Sequence, residues 1–113
     1  NVDLKSFSDE IYQRVSGGHL QPVLDTILAM RDAGVWLEIT NLIIPDINDD
    51  VKMIREMCKW LKDNGLSETP LHFSRFFPRY KMQDKPPTPR QTLYTAKQIA
   101  EEEGIKHVYL GNI

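Results

Sequence analysis

Val35-Trp36-Leu37-Glu38-Ile39-Thr40-Asn41-Leu42-Ile43-Ile44, closed by Pro45, is the stretch on which the fold turns. It is rich in β-branched and aromatic residues, which suit a pleated surface. Ile44 stays extended because it precedes a proline. A strand buried on both faces of a parallel sheet reads as unbroken apolar residues. Here Glu38 and Thr40 fall at alternate positions, so one face is polar. Three further segments read as strands: Val2-Asp3-Leu4-Lys5, Leu71 to Phe76, and His107 to Gly111. Asp3 and Lys5 share a face of the first, and His72 and Ser74 share a face of the third. The sheet is expected to present one side to something polar, which points to a binding or reaction cavity rather than a filled core.

Helical patterns separate these strands. Ser6 or Ser8 caps a short helix to about Val15, ended by Gly17-Gly18. A longer one runs from about His19 to Ala33, with Leu20, Val23, Leu24, Ile27 and Leu28 forming an apolar stripe. Pro22 is tolerated in its first turn, and Gly34 stops it. Asp50 caps a third helix to Asp63, with Val51, Ile54, Cys58 and Leu61 on one face. A proline-bearing loop from Phe77 to Thr88 leads to the last helix, where Thr88-Pro89-Arg90-Gln91 has the form of a capping box. Leu93, Ala96, Ile99 and Ala100 are expected to face the sheet. Glu101-Glu102-Glu103 lie at the unfavourable end of the helix dipole. The order is β-α-β-α-β-α-β, an α/β chain with a parallel sheet and right-handed crossovers. Such a unit is a small open sheet or half of a barrel with its chemistry at the C-terminal strand ends.

The chain has 113 residues, room for one domain over 1–113, and a formal charge of -2, which gives no electrostatic grip on nucleic acid or anionic membrane. No apolar run has the length of a membrane helix. The single cysteine, Cys58, excludes an internal disulfide, fits a reducing (cytoplasmic) compartment, and excludes a cysteine-ligated cluster built from this chain alone. At its place on the apolar stripe, core packing is the expected role. No glycine-rich phosphate loop, serine-triad pattern or zinc spacing is present.

The candidate binding residues are therefore Asp3, Lys5, Thr40, His72, Ser74 and Arg75, and no catalytic residue or metal ligand is assigned. Asp3 and Lys5 suit a ribose or a carboxylate, or else stand as solvated charges on an edge. A mid-strand Glu38 needs a partner or solvent, and Lys5 is a candidate; a purely structural ion pair is the alternative. Arg75, beside Phe76-Phe77-Pro78, suits a bidentate clamp on a carboxylate or phosphate.

Asn1-Val2-Asp3-Leu4-Lys5-Ser6-Phe7 resembles the Asp-Leu-Lys strand of the pyruvate formate-lyase activating enzyme branch of the radical SAM enzymes. Thr40-Asn41-Leu42-Ile43-Ile44-Pro45-Asp46-Ile47-Asn48-Asp49 is similar to that branch's strand and Pro-Gly-x-Asn-Asp turn. His72-Phe73-Ser74-Arg75-Phe76-Phe77-Pro78, then Tyr80-Lys81-Met82, and the ending His107-Val108-Tyr109-Leu110-Gly111-Asn112 resemble the AmmeMemoRadiSam system radical SAM subgroup. Asp46 replaces the usual glycine, and Phe77 replaces a common histidine. The family's Cys-x-x-x-Cys-x-x-Cys loop and its Gly-Gly-Glu-like strand lie upstream of the Asp-Leu-Lys strand. The resemblance thus implies the C-terminal half of a partial (β/α) TIM-like barrel.

For the parent it implies a [4Fe-4S] cluster that cleaves S-adenosylmethionine reductively, with hydrogen abstraction from a substrate, as in glycyl radical activation. Asp3 and Lys5 would help to hold the cofactor, Thr40 would add a contact, and His72, Ser74 and Arg75 would border the cofactor or substrate side. The expected partners are the N-terminal half of the parent and a protein or small-molecule substrate. Alone, the chain is expected to be inactive, and its open sheet edges favour a dimer or strand exchange. A non-catalytic half-barrel subunit or binding module remains the alternative. A phosphosugar-type barrel fragment is a weaker one, since no phosphate loop supports it.

Overall fold

The computed structural model describes residues 1–78 and 86–113. The elements run β1 (Val2–Asp3), α1 (Asp9–Ser16), α2 (Leu20–Asp32), β2 (Ile39–Ile43), α3 (Val51–Asp63), β3 (Leu71–Arg75), α4 (Arg90–Glu102) and β4 (Val108–Gly111). The four strands form one parallel sheet in the order β1-β2-β3-β4. Each crossover advances one strand in the same direction. Right-handed crossovers therefore put every helix on the same side. A doubly wound sheet would reverse its order and cover both sides. This order is that of an arc of a (β/α) barrel, as the sequence implied.

The burial follows. Leu4, Ile39, Ile43, Leu71, Phe73 and Val108 point toward the helices and join Leu24, Ile27, Ile54, Met57, Leu61, Leu93, Ala96 and Ala100 in one core. Alternate residues face the bare side. Cys58 is fully buried in that core, and its thiol is pushed up to about 12, chiefly by burial. No helix among the described residues is long and apolar enough to cross a membrane.

Two element ends depart from the sequence reading for a local reason, and one unfavourable charge run finds a partner. β2 begins at Ile39 rather than Val35. In the parallel register Ile39 N–H bonds the Pro70 carbonyl, and Pro70 has no N–H to return to Leu37, so the ladder stops there. Val35 and Trp36 are left exposed.

Thr88 does not cap α4. Pro89 occupies the cap position without a side-chain bond. The Thr88 hydroxyl instead donates to the Ile43 carbonyl at 2.6 Å and accepts from Phe76 N–H at 3.1 Å. It ties the returning chain to the ends of β2 and β3.

The run Glu101-Glu102-Glu103 is relieved from a neighbouring helix. Arg55 of α3 donates to Glu102 at 2.8 Å and to Glu103 at 2.7 Å. These bonds hold Arg55 above its usual range, and the Arg55 bond likewise lowers Glu102.

Candidate functional site on the bare sheet face

The register aligns the polar strand positions in rows. Asp3 lies beside Thr40, Thr40 beside His72, and His72 beside Tyr109. One row further toward the C-terminal strand ends, Leu42 lies beside Ser74 and Ser74 beside Gly111. The Leu4 N–H bonds the Thr40 carbonyl, so the β1 pairing continues and Lys5 follows next to Leu42. Asp3, Lys5, Thr40, His72 and Ser74 thus share the face that carries no helix. Asp3 and Lys5 are exposed, and neither side chain has a hydrogen-bond partner among the described residues. Thr40 Oγ1 donates to Asn1 Oδ1 at 3.0 Å. A Cβ on Gly111 would come within 3.2 Å of Ser74 Oγ, so glycine leaves that hydroxyl room.

Arg75 is placed elsewhere. It has the parity of Leu71 and Phe73, which face the helices. Its Nε donates to the Thr88 carbonyl at 2.6 Å, and its guanidinium lies 4.7 Å from the Phe77 ring centroid. It braces the strand end instead of joining the other five.

Glu38 corrects a second expectation. Its partners are His72 Nε2 at 2.6 Å and Trp36 Nε1 at 2.8 Å, not Lys5. Lys5 sits beside Leu42, four positions further along β2, about 13 Å away at a strand's rise per residue. The Trp36 bond, then the His72 bond, hold the Glu38 carboxyl below the usual carboxylate range. A carboxylate only accepts, so the Nε2 of His72 donates the proton of this bond. The His72 ring stacks on Tyr109 with centroids 5.2 Å apart.

Asn48 belongs with the site although it lies in a turn and not on the polar face of a strand. It is buried. Its Nδ2 donates to the Lys5 and Leu42 carbonyls at 2.6 and 2.8 Å, and its Oδ1 accepts from Ile44 N–H at 2.6 Å. It locks the end of β1 to the end of β2 and so positions Lys5. The turn that delivers it places Asp46 at φ 65°, a left-handed position that glycine fills most easily. The Asp46 N–H is held by Asp49 Oδ1 at 3.1 Å. The signal was present in the sequence as the Pro-x-x-Asn-Asp turn. Its role as a clamp on a neighbouring strand has no mark in local pattern. Beside this clamp a cavity of about 70 Å³, lined by Lys5, Ser6, Tyr12, Ser16, Leu42 and Asn48, opens at the C-terminal strand ends. Tyr12 Oη accepts from Lys5 N–H at 2.8 Å, and burial first of all raises its phenol.

The motif Tyr80-Lys81-Met82 lies outside the described residues.

The fold defines a class: a four-stranded parallel arc with its helices on one side and a polar opposite face. The chain is similar in fold to the crystal structure of a domain of pyruvate-formate lyase-activating enzyme from Bacteroides vulgatus. The TM-score is 0.77, with 17% identity over 97% of this chain and 65% of that one. It is also 45% identical, over its whole length, to an uncharacterized protein of Methanocaldococcus jannaschii, of which it spans 34%. No family model matches the chain.

Proposed function

We propose that the chain is the C-terminal part of a radical SAM enzyme of the activating type, similar to the AmmeMemoRadiSam subgroup, and that its bare sheet face forms part of an S-adenosylmethionine site. The observation that carries this reading is the alignment of Asp3, Lys5, Thr40 and Ser74 on a face left free by every helix. The fold likeness to the activating-enzyme domain supports it, as does the chain's one-third share of a longer relative.

The charges suit the cofactor. The Asp3 carboxylate accepts from hydroxyl or ammonium groups, the Lys5 ammonium donates to a carboxylate or ribose oxygen, and Thr40 and Ser74 do either. Asn48 fixes the strand end that carries Lys5, and Gly111 keeps the Ser74 hydroxyl accessible. Bound S-adenosylmethionine, cleaved reductively, supplies hydrogen abstraction from a protein or small-molecule substrate. The [4Fe-4S] cluster does not fit this chain. Its one cysteine is buried on the helix side of the sheet, and no group of metal-ligating side chains forms among the described residues. The cluster belongs with the N-terminal half of the parent. The single buried thiol is compatible with the cytoplasm.

The test is anaerobic reconstitution of the longer Methanocaldococcus relative with iron and sulfide. Iron–sulfur absorbance and dithionite-dependent formation of 5′-deoxyadenosine are expected. Methionine at the position equivalent to Lys5 should weaken S-adenosylmethionine binding while leaving the cluster absorbance intact. A relative that assembles no cluster, or cleaves no cofactor, overturns the reading.

The unpaired outer edges of β1 and β4 favour a second reading: a non-catalytic half-barrel subunit that dimerises or exchanges strands. Sedimentation of the chain as a monomer at all concentrations counts against it.

A further inference from the structure

At the end of the bare face opposite the 70 Å³ cavity, the N-terminal strand ends carry a shallow, open cavity of about 360 Å³, lined by Trp36, Glu38, Glu68, His72, His107 and Tyr109 among others. We propose that it is a binding site for a guanidinium cation. The proposal goes beyond the cofactor reading and uses none of Asp3, Lys5, Thr40 and Ser74, although His72 stands beside Thr40 in the register.

The walls are aromatic and the polar groups accept. Trp36 is 77% exposed and Tyr109 is 51% exposed. An indole so exposed would ordinarily sample several rotamers, but the 2.8 Å bond from its Nε1 to Glu38 fixes this ring over the cavity. Tyr109 is held in turn by stacking on His72. The bonds from Trp36 and His72 favour the charged form of the Glu38 carboxylate beside the cavity. Glu68 adds a second carboxylate at the rim. Among the described residues its ion-pair partner is Lys106 at 4.0 Å, an exposed and long pairing that competes weakly.

Carboxylates exclude an anionic ligand, and aromatic faces attract a cation. A planar guanidinium stacks on the indole while its fork of N–H groups meets the carboxylate acceptors. A compact ammonium can use only part of that arrangement.

The test observes the indole N–H of Trp36 by ¹H–¹⁵N correlation spectroscopy of the full chain, where Trp60 supplies an internal control. The probes are N-acetyl-L-arginine amide, free L-arginine, and the neutral isostere N-acetyl-L-citrulline amide. Saturable movement of the Trp36 signal with both arginine probes is expected. Citrulline should bind about tenfold or more weakly, and W36L and E68Q should each weaken binding about three- to tenfold. Both residues are exposed, so their variants keep the fold. Tighter binding of the amide identifies an arginine within a polypeptide as the source, and tighter binding of free arginine identifies the amino acid. Equal binding of arginine and citrulline, or no response of Trp36, overturns the proposal.

Discussion

Replacing Thr88 by valine tests whether the long loop is anchored by one hydroxyl. Thr88 is fully buried. Its Oγ1 serves the Ile43 carbonyl at 2.6 Å and the Phe76 N–H at 3.1 Å, two backbone groups with no route to water through this side chain. Valine keeps the shape and removes both bonds. Each buried group left unpaired costs about 1–3 kcal/mol, so T88V should lose about 2–4 kcal/mol after partial relaxation. That is a large fraction of the roughly 5–15 kcal/mol that stabilises a domain of this size. In urea unfolding followed by circular dichroism, with m of about 2 kcal/mol/M, the midpoint should fall by ~1–2 M. T88S keeps the hydroxyl and loses one methyl, at about 1 kcal/mol, and so separates the hydrogen bonds from the packing. If T88V and T88S unfold within about 0.5 kcal/mol of each other, the anchoring role of the hydroxyl is wrong.

The Cys58 thiol, buried and pushed up to about 12, should resist alkylation by iodoacetamide at pH 8 in the native chain and react as urea unfolds it; rapid labelling of the folded chain contradicts the core placement. Glu38, held below its ordinary 4.5 first by the Trp36 bond and then by the His72 bond, stabilises the fold when ionised. That contribution is complete above the ordinary value and is lost as pH falls through the lower folded one. E38Q should therefore show a flatter loss of stability than wild type roughly between pH 5 and 3 in acid denaturation, and parallel curves would exclude the pair as a contributor.

The strand and helix order was legible because its signals are local. Alternating side chains in Ile39–Ile43, the apolar stripe from Leu20 to Leu28 and the Asp50 cap each depend on residues within one or two turns. The shared face of Asp3, Lys5, Thr40, His72 and Ser74 was also legible, since parity along a strand needs no tertiary knowledge. What sequence could not convey is which distant group each side chain meets. Thr88 has every mark of a helix cap and is spent on two strand ends. Arg75 has the company of an anion clamp but the parity of the core. Glu38 was offered Lys5 and takes His72, because the register sets His72 beside Thr40, within reach of Glu38 two positions back on the same face, and Lys5 far along the sheet beside Leu42. Asn48 read as one residue of a turn, although it makes three bonds that hold two strands together.

Because all the helices lie to one side, each strand is written in two interleaved scripts. Ile39, Asn41 and Ile43 answer to packing, while Thr40 and Leu42 answer to whatever the bare wall meets. Substitutions at the second set can accumulate without disturbing the first. A lineage could therefore exchange one ligand for another on this wall while inheriting its scaffold unchanged.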